Sequence, residues 1–130
     1  MGFRAASSYT NTQLNAISGG TTEIVLFTTA ALAAAMDNAQ VVLLWQVVIT
    51  IGASTTSVSF QLRRGIDITG TSISAALWTV GVAAGATRVI SGSDVDMPTV
   101  AEAQYSLTMQ QNSGSTASTF VDGCLLSFVL

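Results

Sequence analysis

A chain of 130 residues is long enough for one domain and too short for two ordinary ones. Charged residues make up 8% of it, against about 25% in a typical soluble domain, apolar residues make up 49%, and the formal net charge is −3. Four Arg, no Lys and no His exclude a phosphate-neutralising nucleic-acid surface and any His-dependent nucleophile or metal site, and so apolar a composition excludes disorder.

Met1 to Gly20 is polar, closes on Gly19-Gly20 and reads as an N-terminal arm ahead of one domain over residues 21–130. It lacks the apolar core of a secretory signal, and Ala6 stands where a myristoylation motif asks for Ser or Thr. Thr22 to Thr29 (TEIVLFTT) is the first strand, Ala30 to Ala35 suggests a short helical turn, and Asp37-Asn38 ends it. Val41 to Ile51 (VVLLWQVVITI) is the strongest strand signal in the chain. Asp37, Asn38, Gln40 and Gln46 interrupt the apolar stretch from Ile24 to Ile51, and an Asp at mid-bilayer costs about 2.5–3.5 kcal/mol, so no membrane span is expected.

Ser57 to Arg63 alternates cleanly, with Val58, Phe60 and Leu62 opposite Ser57, Ser59, Gln61 and Arg63. Gly65, Asp67 and Gly70 bracket a short piece at Ile66 to Ile68. Thr71 to Val82 carries one or two strands around Trp78, and Thr87 to Ile90 forms another. Ser91 to Thr99 (SGSDVDMPT) reads as a loop, Ala103 to Gln110 as an alternating strand, Gln111 to Ser115 as a turn, and Thr119 to Leu130 as the last strand. About eight short strands without a convincing amphipathic helix predict an all-β antiparallel sandwich or barrel.

Two strands are apolar on both faces. Val41, Leu43, Trp45, Val47, Ile49 and Ile51 occupy one side of the long strand, while Val42, Leu44 and Val48 share the other with Gln46 and Thr50. In the last strand Val121, Leu125 and Val129 alternate with Phe120, Cys124, Leu126, Phe128 and Leu130. A lone antiparallel sandwich buries one face of each sheet, so the second set (Val42, Leu44, Val48, Phe120, Leu126, Phe128 and Leu130) is expected at an interface between copies of the chain. Each such side chain is worth about 1.5–3 kcal/mol when covered. The absence of Lys points the same way, because surface lysines keep sheet edges apart.

Leu62-Arg63-Arg64-Gly65, Thr69-Gly70-Thr71-Ser72-Ile73, Asp94 to Pro98, Tyr105-Ser106-Leu107-Thr108 and the closing strand Cys124 to Leu130 together resemble short jelly-roll structural proteins of tailed phages, the capsid decoration or cement type. The resemblance covers Thr22 to Leu130. It implies a trimer similar to the tumour-necrosis-factor jelly roll, residence in the virion, partnership with the major capsid protein or another virion protein, and an arm at Met1 to Gly20 that reaches neighbouring subunits.

No catalytic, cofactor-binding or metal site is expected. Asp94 and Asp96 share one side of an extended segment, but they form too small an acidic set for Ca²⁺ and sit wrongly for a glycosidase pair. Cys124 reads as a small buried hydrophobe, and Trp45 and Tyr105 as core. Candidate partner contacts are Arg4, Tyr9, Arg63, Arg64 and Trp78. Arg63 and Arg64 point to opposite faces of a strand, and one is expected to pair across a subunit contact with Asp67 or Glu102. Trp78 is the one candidate sugar platform. It supports an alternative function, a trimeric carbohydrate- or receptor-binding head of a phage tail or fibre.

Overall fold

The computed structural model describes residues 4–10, 22–33, 40–53, 55, 57–73, 78–98, 102–112 and 118–129. Eight strands of four or more residues run in the order β1 (Arg4–Thr10), β2 (Ile24–Thr28), β4 (Val41–Thr50), β5 (Ser57–Arg64), β7 (Trp78–Gly81), β8 (Thr87–Asp96), β10 (Tyr105–Gln111) and β11 (Thr119–Val129). Three two-residue pieces, β3 (Leu32–Ala33), β6 (Thr71–Ser72) and β9 (Glu102–Ala103), complete the described elements. One sheet has the order β1-β11-β4-β8, the other β2-β10-β5 with β6 and β7 both on the far edge of β5, and all pairings are antiparallel. Each long strand lies in the opposite sheet from its predecessor, β7 excepted, which returns on β5. That winding is an eight-stranded jelly-roll sandwich.

The period-two pattern of the long strand explains the core. Val41, Leu43, Trp45, Val47 and Ile49 point inward from β4 and are almost wholly buried, as are Val58, Phe60 and Leu62 from β5 and Tyr105, Leu107 and Met109 from β10. Aromatic pairs join the two layers. Trp45 and Phe60 lie 4.9 Å apart between ring centroids, and Phe27 meets Phe120 edge-on at 5.3 Å. Trp45 and Tyr105 are thus core residues, as expected.

Four expectations need correction. First, Arg4–Thr10 pairs with β11 from Thr10 opposite Gly123 to Arg4 opposite Val129, so this part of the polar leader is an edge strand. Its backbone ladder supplies what its side-chain pattern does not advertise.

Second, Leu32–Ala33 pairs with Ala103 and Glu102 where a helical turn was expected; positions 34 and 35 lie outside the described residues. Third, the segment read as a loop from Ser91 belongs to β8 as far as Asp96, held by an unbroken ladder to β4. Its glycine serves packing. A Cβ on Gly92 would lie 2.6 Å from the Trp45 ring, so the indole occupies the space a side chain would need.

Fourth, β11 changes phase at a bulge between Phe120 and Asp122, where the register against β4 shifts. The extra residue turns Phe120 into the protomer's own core, where it is fully buried, and turns Val121 outward to 39% exposure. Phe120 is therefore an intramolecular contact. A Cβ on Gly123 would lie 2.5 Å from the Gln46 carbonyl and 2.7 Å from the Phe27 ring, so a residue without a side chain stands beside the bulge.

Candidate interaction face

The outer face of the β1-β11-β4-β8 sheet is built in rows by the ladder registers. Val42 stands between Phe128 and Val95, Leu44 between Leu126 and Ser93, Gln46 between Cys124 and Ser91, and Val48 between Asp122 and Val89. Leu44 is 41% exposed, Val89 59% and Val95 49%, while Val42, Val48, Leu126 and Phe128 are half-buried. An apolar stripe thus runs across three strands, with Asp122 as the one ionisable carboxylate among these rows. Of the seven residues expected at an interface, five (Val42, Leu44, Val48, Leu126 and Phe128) come together here; Phe120 does not, and Leu130 lies outside the described residues. Cys124 is half-buried on this same face, not in the core.

Val89 and Val95 belong to the face and were hidden in the sequence by the turn-forming residues between them. Arg4 and Tyr9 lie on β1 opposite Val129 and Cys124, and Trp78 lies on β7 opposite Phe60; their side chains are outside the described set. The sugar-platform expectation for Trp78 rests on that undescribed side chain.

The opposite outer face, on the β2-β10-β5 sheet, is polar and bonds to itself. Ser59 Oγ lies 2.9 Å from Thr79 Oγ1, Asn112 Nδ2 donates to Ser57 Oγ at 3.0 Å and to Ser59 Oγ at 2.8 Å, and Gln61 Nε2 donates to Ser72 Oγ. Arg63 anchors this face. Its Nε and Nη2 grip both oxygens of Glu23 at 2.8 Å, and Nη1 reaches the Gly70 carbonyl at 2.9 Å. The Arg63 hydrogen bonds hold the Glu23 carboxyl below its usual range.

Arg64 points to the other side, as adjacent strand positions require. Its Nε donates to Asp96 Oδ2 at 2.8 Å and its Nη2 to Asp96 Oδ1 at 2.5 Å, while the Tyr105 hydroxyl donates to Asp96 Oδ2 at 2.8 Å. This cluster ties β5 and β10 of one sheet to β8 of the other at the end of the core. Burial, and then the bond to Asp96, push the Tyr105 phenol well above its usual range. Both arginines therefore pair within the chain, with Glu23 and Asp96 instead of the expected Asp67 or Glu102. Asp67 instead holds its own turn, accepting from the Thr69 N–H at 2.8 Å and hydroxyl at 2.5 Å.

Chemically, these sites differ in kind. The two ion pairs are bonded within the protomer, whereas the apolar stripe is half-buried at Val42, Val48, Leu126 and Phe128 and exposed at Leu44, Val89 and Val95. Among the described residues no group of three or more Cys, His, Asp or Glu could hold a metal ion, and no helix is long and apolar enough to cross a membrane.

The sequence matches no family model and no curated protein. In shape the chain is similar to VP2 of infectious bursal disease virus. It matches VP2 in a subviral particle with a TM-score of 0.67 at 15% identity, over 97% of this chain and 32% of that one. In the T13 particle of the same virus the TM-score is 0.68 at 15% identity, over 97% and 31% of the two chains. The globular domain of zebrafish complement 1qA matches with a TM-score of 0.52 at 11% identity, over 95% of this chain and 94% of that one. The chain spans about a third of the length of the VP2 chains it matches. These likenesses establish a shared jelly-roll fold.

Proposed function

We propose that the protein is a non-enzymatic structural subunit of a virion, a decoration or cement protein that assembles with copies of itself as a trimer and binds the shell formed by a major capsid protein. The single observation that carries this reading is the apolar stripe through Val42, Leu44, Val48, Leu126 and Phe128. Leu44 in its middle and Val89 and Val95 on its flank are exposed, and an apolar patch of this kind on a sheet face marks an association surface. The fold it shares with a self-assembling capsid subunit supports the reading. The phage-type resemblance of its turn motifs adds the decoration role.

The mechanism is geometric. Identical sheet faces cover one another, and each Leu- or Val-sized side chain removed from water contributes about 1.5–3 kcal/mol before association costs. Arg4 and Tyr9 belong to the edge strand β1, and the proposed role of the arm over Met1 to Gly20 is contact with neighbouring subunits. Loops at the ends of the sandwich are left to meet the shell.

Sedimentation equilibrium of the purified chain tests the association, and co-sedimentation with empty shells of the same virus tests the partner. A mass that is a multiple of 13.4 kDa, with pelleting on shells, is the expected result. A monodisperse 13.4 kDa species that ignores shells overturns the reading.

A further inference from the structure

β8 is the outermost strand of its sheet: among the described residues nothing pairs with the side away from β4. It is ten residues long, and its ladder to β4 carries no register shift. It holds no Lys and no Pro. Natural edge strands are ordinarily short, bulged, or guarded by Lys or Pro. This one is long, unbulged and without Lys or Pro, its charges are of both signs (Arg88, Asp94 and Asp96), and it is the most open part of the apolar face, through Val89 and Val95.

The direction of its free backbone groups follows from one hydrogen bond. The Ile51 N–H donates to the Ala86 carbonyl at 2.9 Å, continuing the register in which Thr50 faces Thr87. Hydrogen-bonded pairs alternate along an antiparallel ladder, so the even-numbered residues of β8 bond β4. The N–H and C=O groups of Thr87, Val89, Ser91, Ser93 and Val95 therefore point to the open side.

Charge then selects a partner. Arg88, near one end of β8, is exposed and makes no ion pair among the described residues. Asp94, near the other end, accepts only the adjacent Val95 N–H among the described contacts, at 2.8 Å. A second β8 laid antiparallel with Ser91 opposite Ser91 sets Arg88 of each copy against Asp94 of the other, twice, and matches the outward-pointing backbone groups. Moving the centre to Gly92 sets Arg88 against Asp96, whose two oxygens are already held by Arg64 and Tyr105, and sets Ile90 against Asp94.

We infer that β8 pairs with β8 of a second copy about a two-fold axis through Ser91, joining two four-stranded sheets into one continuous sheet whose apolar stripe runs across both copies. Cross-strand Arg–Asp pairs fix the register, and backbone bonds supply the contact. This deepens the proposed self-association by naming a second contact, distinct from covering the sheet face.

The full-length chain tests it by sedimentation equilibrium. Arg88→Glu alone and Asp94→Arg alone weaken the association at least tenfold, and the double variant Arg88→Glu/Asp94→Arg restores it, because the pair is reversed and intact. Ser91→Pro removes one outward N–H while leaving the β4 ladder, and halves the mass. In a Cys124→Ser background Ser91→Cys forms a covalent dimer under copper phenanthroline, since the facing Cα atoms of a hydrogen-bonded pair lie about 5.5 Å apart. Unchanged association in Arg88→Glu, or no covalent dimer from Ser91→Cys, overturns the inference. Leu44→Arg reports on the sheet face alone, so a mass lowered by the β8 variants and untouched by Leu44→Arg would remove the face contact and leave the edge contact standing.

Discussion

The two outer faces of this sandwich have the same backbone geometry and opposite chemistry. On the β2-β10-β5 side the outward positions are Ser57, Ser59, Gln61 and Arg63, with Ser106, Thr108 and Gln110 beside them, and most are hydrogen-bonded to one another or to Glu23 and Asn112. On the β1-β11-β4-β8 side the outward positions are Val42, Leu44 and Val48, with Leu126 and Phe128 on one flank and Val89 and Val95 on the other. A polar face whose Ser59, Ser106 and Thr108 are already buried and hydrogen-bonded within the chain gains nothing from a partner. An apolar face gains about 25 cal/mol for each Å² it hides. The proposed association therefore falls on one sheet and not on the other.

The sharpest way to break this contrast is to place one charge on each face. Leu44→Arg puts a guanidinium into the middle of the stripe and is expected to weaken self-association at least a hundredfold. Gln110→Arg, on the polar sheet, is expected to leave the mass unchanged. Sedimentation equilibrium of both variants decides the matter; equal behaviour would show that face chemistry does not direct assembly.

The next largest effect falls on the fold, at the cluster that ties the two sheets. Arg64→Met removes the guanidinium and leaves the Asp96 carboxylate, 8% exposed, with the Tyr105 hydroxyl as its remaining side-chain partner. Stranding a buried charge in this way costs about 3 kcal/mol, read as a lowered urea midpoint. Arg64→Met/Asp96→Leu/Tyr105→Phe should recover much of that loss, since neither a charge nor the buried Tyr105 hydroxyl is then left unpaired.

How much of each face was legible in the sequence depends on whether side-chain period or backbone pairing decided the local structure. β4 is legible because Val41 to Thr50 alternates without a break, and its inner and outer sets fall where the period puts them. β11 is legible as a strand but not in phase. The bulge at Val121 swaps the sides of Phe120 and Val121, and only the neighbouring Gly123 hints at it. β8 was hidden because Ser91, Gly92, Ser93 and Asp94 are turn formers, and the ten-residue ladder to β4 overrides that preference. β1 was hidden because an edge strand held by its backbone needs no apolar alternation. The ion pairs join residues 40 and 32 positions apart in sequence, so no local pattern could match Arg63 to Glu23 or Arg64 to Asp96.

Gly92 sharpens the comparison from the core side, because it shows what the apolar sheet gives up to seat Trp45. Gly92→Ala forces a Cβ into an indole already packed on Phe60. It is expected to destabilise the fold by about 1–3 kcal/mol without altering the outer face. Thermal melts should fall while the association constant, measured below the melt, stays within threefold of wild type.

The smallest effect belongs to the polar face and is read through pH. Arg63 lowers the Glu23 carboxyl relative to its value of about 4.5 in an unfolded chain. A depressed folded-state pKa contributes stability that is fully present above the unfolded value and disappears as pH falls through the folded one. Both side chains are 17% exposed, and solvent screening keeps the contribution to about 1 kcal/mol or less. Urea unfolding at pH 7 and again below pH 4 should therefore show Glu23→Gln less stable than wild type by that amount at neutral pH. The difference should shrink once Glu23 is protonated, because a neutral Glu and a Gln offer Arg63 much the same partner. A gap that widened on acidification would mean the carboxylate is not the form the fold prefers, and the polar face would then owe its stability to its hydroxyl and amide network alone.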